Sequence, residues 1–317
     1  MQTKIYDFIA IGLGPFNLSL ACLTEPIEEL DGLFLEKKAS FDWHPGMLMP
    51  TTTLQVPFMA DLVTLADPTS PYSFLNYIKK QGRIYSFYIR ENFLLLRNEY
   101  NQYCQWVTQQ LSNVQFGQAV EEIHYQDAEG CYYLTVTNQA NQTTKVYRAK
   151  KLVLGTGTNP TLPACCDAVS EDLVHSSNYL FKKRALQQQK SITVVGSGQS
   201  AAEIYYDLLQ EIDRGYGLHW ITRSPRFFPL EYSKLTLEMT SPEYVDYFYN
   251  LPSQKRDHII GKQKHLYKGI NSDLINEIYD LLYTHQVSGV PMQTTLRTHS
   301  ALTAVQKEGN EFQLTLH

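Results

Sequence analysis

Two short glycine motifs carry the clearest chemistry in this chain of 317 residues. Gly12-Leu13-Gly14-Pro15 follows the apolar run Tyr6–Ile11, and Gly196-Ser197-Gly198-Gln199-Ser200 follows the run Ser191–Val195. A Gly-x-Gly turn at the start of a helix lets backbone N–H groups and the positive end of the helix dipole approach a pyrophosphate with no side chain between. The pattern is weak alone; a strand before it and a helix after it give it weight, and both copies read that way. Neither copy has the third glycine of the fingerprint: Asn17 and Ala201 stand there. Alanine is a tolerated variant, whereas Asn17 is expected to compromise close helix–strand packing. The competing reading of either motif is a tight strand-to-helix connection that holds nothing.

The residues closing each unit differ in charge. Glu36 ends the apolar run Gly32–Glu36, where a carboxylate accepts both ribose hydroxyls and repels a 2′-phosphate, which suits the adenosine half of FAD. The corresponding run from Gly217 ends in Arg223, with Arg226 nearby, and a cation there favours the 2′-phosphate of NADP. An ordinary solvated surface arginine is the alternative for Arg223. On this reading FAD belongs to the first turn and NADPH to the second, and hydride passes from nicotinamide to flavin. A disulfide reductase would then need a Cys-x-x-Cys pair. The chain has only the vicinal Cys165-Cys166, so oxygen is the expected electron acceptor.

These turns need elements to position them. Tyr6–Ile11, the Leu18–Leu23 helix and Gly32–Glu36 form a β-α-β unit, and Ser191–Val195 to Arg223 repeats it. Between them, residues 41–77 read as irregular, Glu91–Leu111 as a helix and Ala119–Thr137 as a β-hairpin turning at Glu129-Gly130. Lys151–Leu154 reads as a buried strand leaving through Gly155 and Gly157. Residues 225–283 read as mainly helical. The closing stretch, Ala301–His317, repeats the hairpin pattern of Ala119–Thr137, and no second glycine strand follows, so the expectation is a C-terminal remainder outside the sequence. The fold class is α/β, with two Rossmann-like dinucleotide-binding domains and a small helical substrate region. The expected boundaries are 1–165 for the first domain, 166–290 for the second with its helical region, and 291–317 for a return to the first.

Composition narrows the class. The chain is 43% apolar and 19% charged, with a formal charge of −5, an ordinary globular balance without a basic field for nucleic acid. Its apolar runs are strand-length rather than membrane-length, and the N-terminus lacks a signal-peptide layout. Five cysteines show neither a disulfide framework nor metal spacing. A reduced cytoplasmic enzyme is expected, with no metal, membrane or nucleic-acid partner.

The segments Phe41-Asp42-Trp43-His44-Pro45-Gly46-Met47, Leu54-Gln55-Val56-Pro57-Phe58, Asp61-Leu62-Val63-Thr64 and Asp67-Pro68-Thr69-Ser70-Pro71-Tyr72 are distinctive. Together with the two glycine turns, the chain resembles the N-hydroxylating flavin monooxygenases of siderophore biosynthesis, which act on ornithine, lysine or simple diamines. The likeness runs along essentially the whole sequence, and it implies a small-molecule amine and O2 as partners and a homo-oligomer. It implies that NADPH reduces FAD, that O2 reacts with the reduced flavin, and that a neutral amine takes up the oxygen, so no side chain is assigned as the catalytic residue. It also implies that Gly12, Gly14, Pro15, Asn17, Glu36, Lys37, Trp43, His44 and Gln55 hold FAD, and that Gly196, Ser197, Gly198, Gln199, Ser200 and Arg223 hold NADPH. Without the resemblance, Trp43 and His44 would read as a packed loop.

The departures from the pattern concern the substrate. The amino-acid hydroxylases carry a lysine before the Asp-Leu-Val segment that pairs with the substrate carboxylate, and this chain has Ala60. Leu237 stands where they place an asparagine, and Leu266 at a second polar position. A buried carboxylate without a partner is strongly penalised, so the substrate pocket formed by Ala60, Leu237 and Leu266 suits the methylene chain of putrescine or cadaverine. Glu231, Glu238 and the tyrosines of 232–249 are candidates for the remote ammonium. Two readings compete with this one: a lysine or ornithine hydroxylase whose carboxylate site has moved, and a non-catalytic FAD/NADP-binding redox sensor.

Overall fold

Alternation along the first strand already divides the core of the first unit. In β1 (Ile5–Ile11), Phe8 and Ala10 enter one apolar cluster and Ile9 the other. In β2 (Gly32–Glu36), Phe34 joins the first cluster, while Leu33 and Leu35 join the second, so the sheet is covered on both faces. Helix α1 (Pro15–Thr24) connects the two strands and buries Leu18, Ala21 and Cys22 against the first cluster. β1 and β2 pair in parallel, from Phe8–Gly32 to Ile11–Leu35, as the β-α-β reading requires.

The structure, a computed structural model, describes residues 4–289 and 291–317. By packing, the chain forms two compact units, Met1–Asn159 and Pro160–His317. In the first, β1 and β2 are followed by β3 (Thr53–Pro57), α2 (Phe74–Lys80), α3 (Ile84–Arg90), β4 (Leu94–Leu96), α4 (Arg97–Thr108) and β5 (Val114–Phe116). Then come β6 (Gln118–Gln126), β7 (Cys131–Asn138) and β8 (Thr144–Leu154). The main sheet has the order β5-β2-β1-β8-β7-β6, parallel from β5 to β8 and antiparallel beyond. The β6–β7 hairpin thus leads into β8, which delivers Gly155 beside the first glycine turn. An aromatic layer of Phe74, Tyr77 and Tyr103 packs on the α1 side. Each fully buried ring of this kind stabilises the unit by about 1.5–3 kcal/mol.

Two segments differ from their sequence reading. The expected helix from Glu91 begins only at Arg97. The triplet Leu94–Leu96 is a strand paired with β3, because Leu95 is wholly buried there and the Asn92 side chain accepts a bond from the Leu94 N–H. The expected irregular stretch contains β3 and α2, the latter capped by the Ser73 hydroxyl accepting from Asn76 N–H.

The second unit opens with a 3-10 segment at 164–172 and α5 (Tyr179–Leu186). It continues with β9 (Ser191–Val195), α6 (Gln199–Leu209) and β10 (Gly217–Ile221). The helical stretch is α7 (Lys234–Leu237), α8 (Pro242–Tyr249), α9 (Ser253–Lys262) and α10 (Ser272–Val287). After it come β11 (Thr294–Arg297) and the hairpin β12 (Leu302–Glu308) with β13 (Glu311–Leu316). The parallel sheet has the order β11-β10-β9. The packing boundary at Asn159 precedes the expected residue 165. The last hairpin is grouped with the second unit, where Val305 packs on Cys166 and Val169. Val290, the other expected boundary, lies outside the described residues. No described helix is long and apolar enough to cross a membrane.

Candidate active site

The first glycine turn is held by contacts that a larger residue would destroy. Gly12 has φ +87°, and a Cβ there would lie 2.3 Å from the carbonyl oxygen of Gly155. Gly12 N–H donates to Leu35 O at 2.8 Å, fixing the turn to β2. Asn17 does not loosen the helix–strand contact, as its replacement of glycine suggested. Its buried amide donates to Gly12 O at 2.7 Å and occupies the space where a Gly155 Cβ would stand, 2.2 Å from Nδ2. The glycine has moved from the helix to the opposite strand end, and the asparagine fills the room it leaves. On the other side of the same peptide, Leu13 N–H donates to Glu36 Oε2 at 2.7 Å, and Lys38 N–H donates to Oε1 at 2.9 Å. The Gly12–Leu13 peptide is therefore clamped at both ends. Pro15 has no N–H, so the donors left for an anion begin at Gly14 and at Phe16 in the first turn of α1. Open space surrounds the missing Cβ of Gly14.

In the loop after β2, Trp43 N–H donates to Asn101 Oδ1 at 2.9 Å. The indole meets Tyr100 edge-on at 5.3 Å and His44 at 4.9 Å. Loss of water around the His44 ring lowers its pKa, and the positive charges of Arg97 and Lys38 lower it further, so the imidazole is neutral at pH 7. Gln55 is half-buried on β3 and Lys37 is exposed beyond β2.

The second turn repeats the backbone of the first. Gly196 N–H donates to Ile221 O at 2.9 Å, as Gly12 does to Leu35. Ser224 N–H donates to Thr222 Oγ1 at 3.1 Å, as Lys38 does to Glu36. These bonds align the two units residue by residue: buried Thr222 occupies the position of Glu36, and Arg223 that of Lys37. The strand ends at Ile221, so the sequence reading of Arg223 as its last residue is displaced by two positions. A neutral threonine stands in place of the carboxylate, and an exposed guanidinium follows it. Gly196 O accepts from Trp220 Nε1 at 2.7 Å, the counterpart of the Asn17 bond. Ser197 Oγ is 2.9 Å from Ser224 Oγ, Gly198 is open, and Ser200 is half-buried on α6. Gln199 is different: its Nε2 donates to Glu203 Oε1 at 2.9 Å and its Oε1 accepts from Asn271 N–H at 2.8 Å. Thr222 and Trp220 were missed in the sequence, although a polar residue directly after a strand end was a signal for the first.

Of the substrate-pocket residues, Ala60 lies in the first unit, exposed in a turn whose N–H donates to Pro57 O at 2.9 Å. Next to it, Asp61 accepts from the N–H groups of Val63, Thr64 and Phe74 and from the Thr64 hydroxyl, and so fixes the loop after β3. Leu237 and Leu266 lie half-buried in the second unit, at the end of α7 and after α9. Gln263, beside Leu266, donates to Tyr244 Oη at 2.6 Å and to Met239 Sδ at 3.3 Å, which draws their two segments together. Glu231 and Glu238 are exposed.

The sequence matches the L-lysine 6-monooxygenase/L-ornithine 5-monooxygenase family over residues 4–317. It is 57% identical over 315 residues to a putrescine N-hydroxylase of Shewanella oneidensis, covering 99% of this chain and 63% of that protein's length. The chain thus spans less than two thirds of that relative. Among solved structures it is similar to DfoA bound to FAD, the desferrioxamine-pathway cadaverine monooxygenase of Erwinia amylovora. Identity there is 58% and the TM-score 0.96, over 99% of this chain and 74% of that one. The ornithine N-hydroxylase of Kutzneria sp. 744, with reduced FAD, NADP+ and L-ornithine, is 26% identical with a TM-score of 0.90 over 99% of this chain and 76% of its own.

Proposed function

Since the chain belongs to the L-lysine 6-monooxygenase/L-ornithine 5-monooxygenase family, we propose that it N-hydroxylates a short aliphatic diamine, putrescine or cadaverine, with FAD, NADPH and O2, in hydroxamate siderophore biosynthesis. The observation that carries the proposal is the pairing of two glycine turns with matching bonds at Gly12 and Gly196 and at Lys38 and Ser224, and different ribose-side residues, Glu36 in one and Thr222–Arg223 in the other. The relatives that resemble this chain at 57% and 58% identity are named for putrescine and cadaverine, which supports the diamine over an amino acid. Those names also support a catalyst over a redox sensor.

The residues of the first turn fit the adenosine pyrophosphate of FAD. Gly14 leaves room for the phosphates, and Glu36, held by two backbone N–H bonds, retains further acceptor capacity for ribose hydroxyls. On the family resemblance, Trp43, His44 and Gln55 line the flavin. In the second turn, Gly196, Ser197, Gly198 and Ser200 hold the NADPH pyrophosphate and Arg223 its 2′-phosphate. FAD bound there, once reduced by NADPH, would activate O2 for transfer of one oxygen atom to the amine nitrogen. On the family resemblance Ala60, Leu237 and Leu266 are the substrate-facing residues; none carries a charge, and partial loss of water helps an amine with an ammonium pKa of about 10.4 give up its proton. Neutral His44 adds no cation beside the flavin region. The free thiols of all five cysteines suit the reducing cytoplasm in which we place the enzyme.

The test combines NADPH addition under nitrogen, which bleaches the yellow flavin, with a hydroxylamine assay in air. Both are expected to be positive with putrescine or cadaverine. Bleaching without hydroxylamine from any amine would leave a nucleotide oxidase and defeat the proposal.

A further inference from the structure

Gln199 is the first residue of α6, at the mouth of the second glycine turn, yet both ends of its amide are engaged inside the protein. Nε2 donates to Glu203, which is buried one helical turn on, and this fixes the orientation of the amide. Oε1 accepts from the backbone N–H of Asn271, the residue that caps α10 through its own side chain. The segment it grips is tightly set. Ile270 is fully buried, its N–H donates to Phe228 O at 2.9 Å, and Leu230 N–H donates to Ile270 O at 2.8 Å. A Cβ on the neighbouring Gly269 would lie 2.6 Å from Leu230 N. These paired strands of chain, 228–230 and 269–271, frame the helical region: α7 with Leu237 follows the first, and Leu266 precedes the second. A second tie starts from the same turn. Trp220 donates to Gly196 O and packs its ring 4.1 Å from Phe227, the residue entering that frame.

We infer that Gln199 is a positioning residue that couples occupancy of the nicotinamide-nucleotide turn to the start of α10 and hence to the helical substrate region. The inference rests on reading the second turn as the NADPH site. A nucleotide pyrophosphate held at Gly196–Gly198 restrains the N-terminus of α6. Gln199 then passes that restraint to Asn271 through a bond whose donor is backbone, so the frame carrying Leu237 and Leu266 tightens without a direct contact between Gln199 and the nucleotide.

The test uses the full chain, with NADP+ affinity measured by titration and amide hydrogen exchange followed at Asn271–Leu274, Phe228 and Leu230. In the wild type, NADP+ is expected to slow exchange at these amides. Gln199→Met, which keeps the volume and removes both bonds, is expected to speed exchange at Asn271 by about 10-fold or more and abolish its response to NADP+, while Kd for NADP+ moves by less than about 3-fold. Glu203→Gln retains an acceptor for Gln199 and should preserve the response; Glu203→Leu should weaken it. A Gln199→Met protein that loses NADP+ affinity about 10-fold with unchanged exchange would make Gln199 a direct ligand and overturn the inference. Binding of NADP+ to the wild type without any change in exchange overturns the coupling alone. No NADP+ binding by the wild type overturns both the coupling and the assignment of the turn.

Discussion

Asn17 shows how one residue changes the meaning of a motif. The fingerprint asks for glycine at that position so that helix and strand can approach. Here the approach is made by Gly155, and Asn17 fills the space and donates to Gly12 O. Restoring the consensus should therefore harm the protein. Asn17→Gly removes a buried hydrogen bond to main chain, leaves a gap beside Gly155 and puts glycine in a helix, together costing about 1–3 kcal/mol. Urea unfolding and the rate of FAD loss measure this; a variant as stable as the wild type would show that the bond to Gly12 contributes nothing. A second residue-scale expectation concerns Arg223, which stands exposed behind the neutral Thr222. Arg223→Ala should raise the KM for NADPH and leave that for NADH nearly unchanged, because losing one charge-assisted bond to phosphate costs about 1.5–3 kcal/mol. Equal effects on both nucleotides would remove Arg223 from the 2′-phosphate site. Conversely, Thr222→Glu should shift preference toward NADH by setting a carboxylate where we propose the 2′-phosphate binds. Improved NADPH binding would refute that placement.

At the scale of elements, a charge network ties α5 to α6. Lys183 on α5 meets Asp207 on α6 at 2.8 Å and Glu211 just beyond it at 2.7 Å, Tyr179 donates to Asp207, and Arg214 reaches Glu211. The bond from Lys183, with that of Arg214, pushes the Glu211 carboxyl down to about 2. A carboxylate depressed in the fold contributes stability above its unfolded pKa of about 4.3, and that contribution disappears as pH falls toward about 2. Thermal unfolding of the wild type and Glu211→Gln should differ near pH 7, with the difference closing through this acid window. A gap that stays constant down to pH 3 would show that the ionised form of Glu211 is not what holds the helices. Such a network is invisible in sequence, because Lys183, Asp207 and Glu211 become neighbours only after α6 folds back on α5. The strands and helices around the glycine turns were legible for the opposite reason: their signal is local, an apolar run followed by glycine. The β4 triplet was not, since Leu94–Leu96 continues an acceptable helical pattern into α4, and only the buried partner strand β3 decides against it.

For the whole molecule, what the sequence disclosed was the pair of glycine turns, each between a strand and a helix. The clamp on each turn, the place of Thr222 and the internal engagement of Gln199 depend on distances across the fold that no spacing in the chain encodes. The proposed substrate preference makes the sharpest demand on the intact enzyme. With no cation at Ala60 and no amide at Leu237, a substrate carboxylate would be stripped of water without a partner, a penalty of a few kcal/mol or roughly 10²-fold in specificity. Putrescine or cadaverine should then couple NADPH oxidation to hydroxylamine formation, while ornithine and lysine should oxidise NADPH with little product. Ala60→Lys should lower diamine turnover, because its ammonium would face the charged end of the substrate. In combination with Leu237→Asn it should raise turnover of the amino acids by supplying the pair of polar groups their carboxylate requires. The deciding quantity is kcat/KM for hydroxylated product with all four amines on the unmodified enzyme. If lysine or ornithine exceeds both diamines, the carboxylate is met elsewhere in the fold and the apolar reading of Ala60 and Leu237 fails, even with both nucleotide turns assigned as they are here.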